Sequence, residues 1–416
     1  MHKPIAQHKT YPSKKQPTRF RVRILPVVVI MSIVGLLYVY SVLHKPLPDL
    51  SYTPVPVHVA PETPSISIDW PSKGQGAVGS VEEGVVAQSQ SQFEQVPIAS
   101  TAKVITALAV MRAKPFRSGS GQDIKLNEKD VDLYNYYLNL GGSVAPVQNG
   151  QIISEKDALS VMLLPSANNM ADSLALWAFG SMDAYKLYAQ KMVKDYGAFQ
   201  TTVDDASGFS SGTTSTARDL VLLGQRLMRD PILRTIVALP VASVPTTGLI
   251  NNTNQLLGFN GAIGIKTGHT TEAGGCLLYA QNYTVAPGHT VTLLAAVLGA
   301  ETVGQSFAVT SSIVTTTVKG YGKTVLLPAN TPVGIYRAPW TKTTEAVTAN
   351  ALETYGWTAS KHTVKTGLDI MKVPVLKNQE IGTVTAQINS IPTSVPVKAA
   401  ASVPPPSLWW RLIHNR

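Results

Sequence analysis

The sequence predicts an α+β domain followed by a small all-β domain, the pair carried behind one membrane-spanning helix. Three observations lead there. A chain of 416 residues, 44% of them hydrophobic, exceeds one ordinary core and is too apolar for a disordered protein. Strand-like alternation early in residues 65–318 gives way to helical periodicity and then returns, which implies a layered fold whose sheet takes strands from both ends of that segment. Beyond Thr317 the helical spacing fades, and short β-rich runs alternate with turns through residues 319–400.

The elements follow in order. Residues 1–23 form a basic tail in which Lys3, Lys9, Lys14, Lys15, Arg19, Arg21 and Arg23 precede the first acidic residue, Asp49. These seven account for most of the formal net charge of +10. Residues 24–43, ILPVVVIMSIVGLLYVYSVL, carry no charge, and about 20 apolar residues suffice for one helical crossing. The basic flank places the tail in the cytoplasm and the rest of the chain outside. A cleaved signal would have a shorter core ending at small residues, whereas Tyr38, Tyr40 and Leu43 crowd this end, so the segment reads as a retained anchor.

Residues 44–64 hold six prolines and read as an extended spacer with little that could pack. A hairpin is expected over 75–92 and an apolar, central helix over 100–111. Further helices are expected over 155–164, 169–179, 182–196 and 216–229, and strands over 262–266, 275–283 and 290–299. In the second domain the clearest strands are 323–328, 333–336 and 381–388. Residues 401–416 end the chain with Pro404, Pro405 and Pro406, then Trp409, Trp410 and Arg411, which suit either a bilayer interface or a frayed tail.

Composition excludes several functions. Past the tail the charge is nearly balanced, with no cluster of Lys/Arg interleaved with aromatics, so nucleic acid is not an expected partner. One cysteine, Cys276, cannot build a disulfide framework or a multi-thiolate site, and the histidines lack ligand spacing. No metal or cofactor is expected. Asp172 reads as part of a solvated helix face and Asp205 as a loop cap.

Chemistry is carried by three short motifs. Ser100 and Lys103, three apart on the central helix, share a face and come within hydrogen-bonding reach, so a buried lysine could act as base for a serine nucleophile. They form the one Ser-x-x-Lys in the chain, and Ser166-Ala167-Asn168 is its one Ser-x-Asn. Lys-Thr-Gly occurs at Lys266-Thr267-Gly268 and again at Lys365-Thr366-Gly367. The first copy follows a strand-like run and lies in GIKTGHTTEAGGC, where small residues let a substrate lie along a strand edge. The second sits in the small β domain and reads as chance.

With these motifs in order, the chain resembles the low-molecular-mass penicillin-binding proteins, the D-alanyl-D-alanine carboxypeptidases of serine peptidase family S11. The blocks PIASTAKVITAL, LLPSANNMADSLA, DASGFSSGTTSTARDL, TNQLLG and GIKTGHTTEAGGCLL carry the resemblance over roughly residues 66–395, and VPVLKNQEIGTV resembles the C-terminal domain of many members. It implies a β-lactamase-like catalytic fold, acylation of Ser100 by a D-Ala-D-Ala carbonyl, and Lys103 as base. Ser166, Asn168 and Lys266 would complete the proton relay. The backbone N–H groups of Ser100 and His269 would form the oxyanion hole, and Thr267, Gly268, His269 and Thr270 would line the substrate strand. The implied partners are peptidoglycan stem peptides, β-lactams as covalent inhibitors and a membrane through the N-terminal helix.

Two departures stand out. Where the family usually has an arginine just before a phenylalanine, this chain has Ser306-Phe307, which weakens recognition of a free terminal carboxylate and opens DD-endopeptidase action on crosslinks. Ala167 stands where glycine is common. A class A β-lactamase needs a glutamate after Ser-x-Asn, and none lies between Asn168 and Lys266. A wall- or penicillin-binding protein without turnover is the remaining alternative.

Overall fold

The computed structural model describes residues 24–57, 59, 66–89, 94–245, 247–340, 343–388 and 391–414. The basic tail, residues 1–23, lies outside them. The first folded segment is organised on a five-stranded antiparallel sheet in the order Ala262–Thr270, Gly274–Ala286, His289–Ala300, Gln75–Ser80, Gly84–Gln88. Ala295 pairs with Val78 and Ala296 with Ala77, so the two ends of the segment meet in mid-sheet as the periodicity predicts. Successive residues of a strand point to opposite faces. Leu278, Ala280, Leu294, Ala296 and Leu298 join the core beneath the helices, while Leu277, Tyr279, Leu293, Ala295 and Val297 join a second core under the Val303–Thr317 helix. Burial on both faces explains why these strands read as nearly continuous apolar runs.

The helical block lies on the first face. Its centre is the Lys103–Ala113 helix, in which every residue from Lys103 to Met111 is buried. The helices Glu155–Leu163, Asn168–Phe179, Met182–Asp195 and Ala217–Arg229 fall where periodicity places them. The Glu128–Asn139 helix was not legible from periodicity: it buries little, and its start is fixed by Asn127 and Asp130, which form a reciprocal capping box.

The second domain is built on a six-stranded antiparallel sheet ordered Ser51–Pro54, Pro332–Arg337, Thr343–Thr348, Ile391–Ala399, Glu380–Ile388, Thr363–Leu368, with Tyr321–Leu327 and Leu352–Trp357 paired as a separate two-stranded sheet. Its first strand corrects the expectation of a free proline spacer. Leu50 is buried and its N–H donates to Met371 O, Tyr52 pairs with Tyr336, and Val57 and Val59 pack on the same core. Composition hid this because proline is compatible with an edge strand, while the intervening Leu, Tyr and Val residues supply the packing. At the other end, Ser407 caps the short Leu408–Ile413 helix, which lies against the end of the Ile24–His44 helix. Arg411 Nη1 donates to Leu43 O at 2.9 Å and Tyr38 Oη to Leu412 O at 3.1 Å. Glu83, in the turn after the Gln75–Ser80 strand, joins the domains by accepting from the Trp357 N–H and from Ser360 Oγ at 2.7 Å.

Removing the residues before Ile66 therefore takes an element out of the second domain. A soluble chain beginning at Ile66 is expected to melt at a lower temperature in that domain than one beginning at Lys45. Loss of the buried Leu50 alone is worth about 1.5–3 kcal/mol, at roughly 4–8 °C per kcal/mol for a domain of this size. Calorimetry of the two chains checks it.

Candidate active site

The nucleophile candidate stands on a strained turn. Ala99 has φ of 45°, a left-handed value that costs a residue with a Cβ, and it opens the 3-10 turn Ala99–Ala102 that carries Ser100 into the Lys103–Ala113 helix. Two glycines let neighbouring chain close on this turn. A Cβ on Gly208, itself at φ 75°, would lie 1.9 Å from Ala99 O, and one on Gly268 would lie 3.0 Å from Ser100 N. Only bare backbone fits at Gly208.

Lys103, fully buried, reaches three acceptors: Ser100 Oγ at 2.8 Å, Asn168 Oδ1 at 2.7 Å and the Ser207 carbonyl at 2.8 Å. An ammonium has three N–H donors and would fill all three contacts. The neutral amine has two, so it can keep Asn168 and Ser207 and turn its lone pair to the Ser100 hydroxyl. Burial moves the balance to that state, lowering the Lys103 pKa to about 7 against the opposing charges of Asp205 and Asp172. Asn168 is the first residue of the Asn168–Phe179 helix, and the positive end of its dipole also disfavours an ammonium there.

Ser166 is buried at φ 68° in the turn before that helix, and it is not among the three partners of Lys103. Lys266 is buried too. Its Nζ donates to Thr267 O at 3.0 Å, and burial followed by the charge of Lys103 holds its pKa well below the ordinary lysine value. Thr267 is fixed from behind by a 2.6 Å hydroxyl contact with Thr253, whose N–H donates to Leu164 O. The Ala262–Thr270 strand bearing Lys266, Thr267, Gly268, His269 and Thr270 is the outermost of its sheet, with its other edge turned from the Gly274–Ala286 strand.

Ser100, Asn168, His269 and Thr270 line one open cleft of about 450 Å³ together with Ser143, Phe209, Glu272 and others, whereas Lys103, Ser166, Lys266, Thr267 and Gly268 are not among its lining residues. Lys365, Thr366 and Gly367 lie on the far edge strand of the second domain, outside the cleft. No arginine is among the lining residues described. Ser306 is wholly buried in the first turn of the Val303–Thr317 helix and donates to Val303 O at 2.7 Å.

Residues 79–302 match the Peptidase_S11 family, described as D-alanyl-D-alanine carboxypeptidase. The chain belongs to this family. It is a serine hydrolase of the D-Ala-D-Ala peptidase class. Among curated relatives, it is 29% identical over 231 residues to a D-alanyl-D-alanine endopeptidase of Pseudomonas aeruginosa, covering 53% of this chain and 71% of that protein. It is 29% identical over 203 residues to the D-alanyl-D-alanine carboxypeptidase DacB2 of Mycobacterium tuberculosis, covering 47% and 66% respectively. The solved structure of the carboxypeptidase DacD from Francisella tularensis shares the fold, with a TM-score of 0.55 at 18% identity over 85% of this chain and 97% of that one.

The two acidic residues singled out from the sequence part ways. Asp205 is a loop cap, accepting from Ser207 Oγ at 2.7 Å, from the Phe209 and Ser210 N–H groups and from Thr213 Oγ1. Asp172 is not on a solvated face. It is 8% exposed and accepts from Tyr137 Oη at 2.8 Å, because the Glu128–Asn139 helix, unseen in the periodicity, covers that side. Ser207, Tyr137, Phe209 and Glu272 were likewise missed as site residues, since none forms a motif with a fixed offset.

Because the base must be neutral, acylation of Ser100 is expected to rise with pH through about 7. Below that value the protonated lysine cannot accept the hydroxyl proton. Lys103→Met should reduce acylation by about 10²–10⁴-fold. Stopped-flow labelling with a fluorescent penicillin from pH 5 to 9 reads both.

Proposed function

We propose that the chain removes the terminal D-alanine of peptidoglycan pentapeptide stems through an acyl-enzyme on Ser100. The observation that carries the reading is the 2.8 Å contact between Lys103 Nζ and Ser100 Oγ at the floor of the cleft. Ser100 Oγ attacks the carbonyl of the penultimate D-alanine while Lys103 takes its proton. The C–N bond breaks, the leaving amine receives a proton through the relay that includes Ser166, Asn168 and Lys266, and water then attacks the ester to release the shortened stem. The developing oxyanion sits between the Ser100 and His269 N–H groups, where each donor contributes about 3–4 kcal/mol in comparable hydrolases. A β-lactam acylates the same serine and lingers there.

The Ile24–His44 helix supports anchoring in the cell membrane. Its mean hydropathy is 2.3, and 21 residues at 1.5 Å each match a hydrocarbon core of about 30 Å. With the basic residues before it held in the cytoplasm, the catalytic domain works outside.

A second reading, DD-endopeptidase action on crosslinks, is favoured by one feature. Among the described residues, the cleft wall offers a carboxylate, Glu272, and no guanidinium to pair with a terminal carboxylate. The Pseudomonas aeruginosa relative is named as an endopeptidase. The two readings separate by mass spectrometry of muropeptides incubated with the protein and with Ser100→Ala. Loss of one alanine from pentapeptides, abolished by the substitution, is the expected result; cleavage of crosslinked dimers alone assigns the endopeptidase, and turnover by Ser100→Ala overturns both.

A further inference from the structure

Behind the three acceptors of Lys103 lies a second layer of buried polar groups that the acylation chemistry above does not use. Asp172 stands one helical turn after Asn168, on the same face of the Asn168–Phe179 helix. Its Oδ2 accepts from Tyr137 Oη at 2.8 Å, and the same phenol lies 3.4 Å from Ser207 Oγ. Ser207 in turn offers its carbonyl to Lys103 and its hydroxyl to Asp205. Asp172 thus connects to the amine by two routes, through Asn168 along the helix and through Tyr137 and Ser207 across it. Its Oδ1 is buried with no hydrogen-bond partner among the described residues. A carboxylate held this way costs free energy unless a positive charge nearby offsets it.

We infer that Asp172, held by Tyr137, is a positioning residue for acylation: a buried counter-charge that steadies the Lys103 amine on Asn168 and Ser207 and governs when it releases its proton. The inference rests on the reading of Ser100 as nucleophile and Lys103 as base. Tyr137 also ties this layer to the cleft wall. Its carbonyl accepts from the Gly142 N–H at 2.8 Å, and its ring meets Phe209 edge-on at 5.5 Å.

The charged and titratable groups facing Asp172 are Lys103 from the Lys103–Ala113 helix, Asp205 from the loop after the Met182–Asp195 helix, and Tyr185 within that helix, while Lys266 on the outer strand faces Lys103. Burial pushes the Asp172 carboxyl up to about 6, the Tyr137 bond and the charge of Lys103 lower it, and Asp205 raises it. Near neutral pH it is mostly ionised. An anion there favours the ammonium form of Lys103, so removing the anion shifts the balance to the free amine at lower pH.

The test is the pH profile of acylation by a fluorescent penicillin, measured on the full-length chain in detergent for wild type, Asp172→Asn and Tyr137→Phe. The ascending limb is expected to move to lower pH by about half a unit or more in Asp172→Asn. Tyr137→Phe, which leaves the carboxyl less ionised, should move it the same way by less. A residue that only fills space would change the maximum rate or the melting temperature and leave the limb in place. Labelled wild type with both limbs unmoved overturns this inference alone, and if Asp172→Asn does not fold, Tyr137→Phe decides. A wild-type chain that takes no label at any pH overturns the Ser100 reading together with it.

Discussion

Burial of one amine organises the catalytic segment. Lys103 is cut off from water, and an isolated ammonium in such surroundings is tens of kcal/mol uphill before neighbours respond. The neighbours here come from three separate stretches of chain: Ser100 one turn back, Asn168 at a helix start and the Ser207 carbonyl in a loop. Each must arrive within about 3 Å for the site to close. The central helix, the Asn168 turn and the Asp205-capped loop are therefore mutually constrained, and none can shift without stranding a polar group. A buried lysine, costly to stability, supplies in return a nitrogen lone pair at neutral pH.

Backbone proximity is the second constraint. The outer strand reaches the nucleophile because Gly268 presents no side chain toward Ser100 N, and the capped loop presses on Ala99 O because Gly208 has none either. Ala99 absorbs the mismatch in a left-handed conformation. Strain held next to a nucleophile persists only when the surroundings over-determine it, and here helix, loop and strand do so together.

Much of this was legible in the sequence. Ser100 and Lys103 stand at an offset that a helix turns into a contact, Asn168 announces itself in a Ser-x-Asn motif and meets the same amine, and the sheet strands announce themselves by long apolar runs. Other parts were not legible, for physical reasons. Asp172 occupies a helix position that looks solvated until the Glu128–Asn139 helix covers it, and that helix is set by its cap and by long-range packing rather than by an apolar stripe. Ser207 contributes to the amine through its carbonyl, a group every residue possesses. The docked strand Ser51–Pro54 was masked by prolines, since composition reports what a segment lacks and pairing depends on which edge it meets.

That docked strand makes the second domain discontinuous in sequence. Ser51 lies opposite Arg337, 286 residues later, with the whole catalytic segment inserted between them. During synthesis the strand leaves the ribosome early and has no edge to join until its partner is made. At ordinary elongation rates that interval is on the order of fifteen seconds to a minute. The inserted domain can complete its own sheet first, since both ends of that sheet lie within it, so the chain assembles from the inside outward and the part nearest the anchor is the last to set.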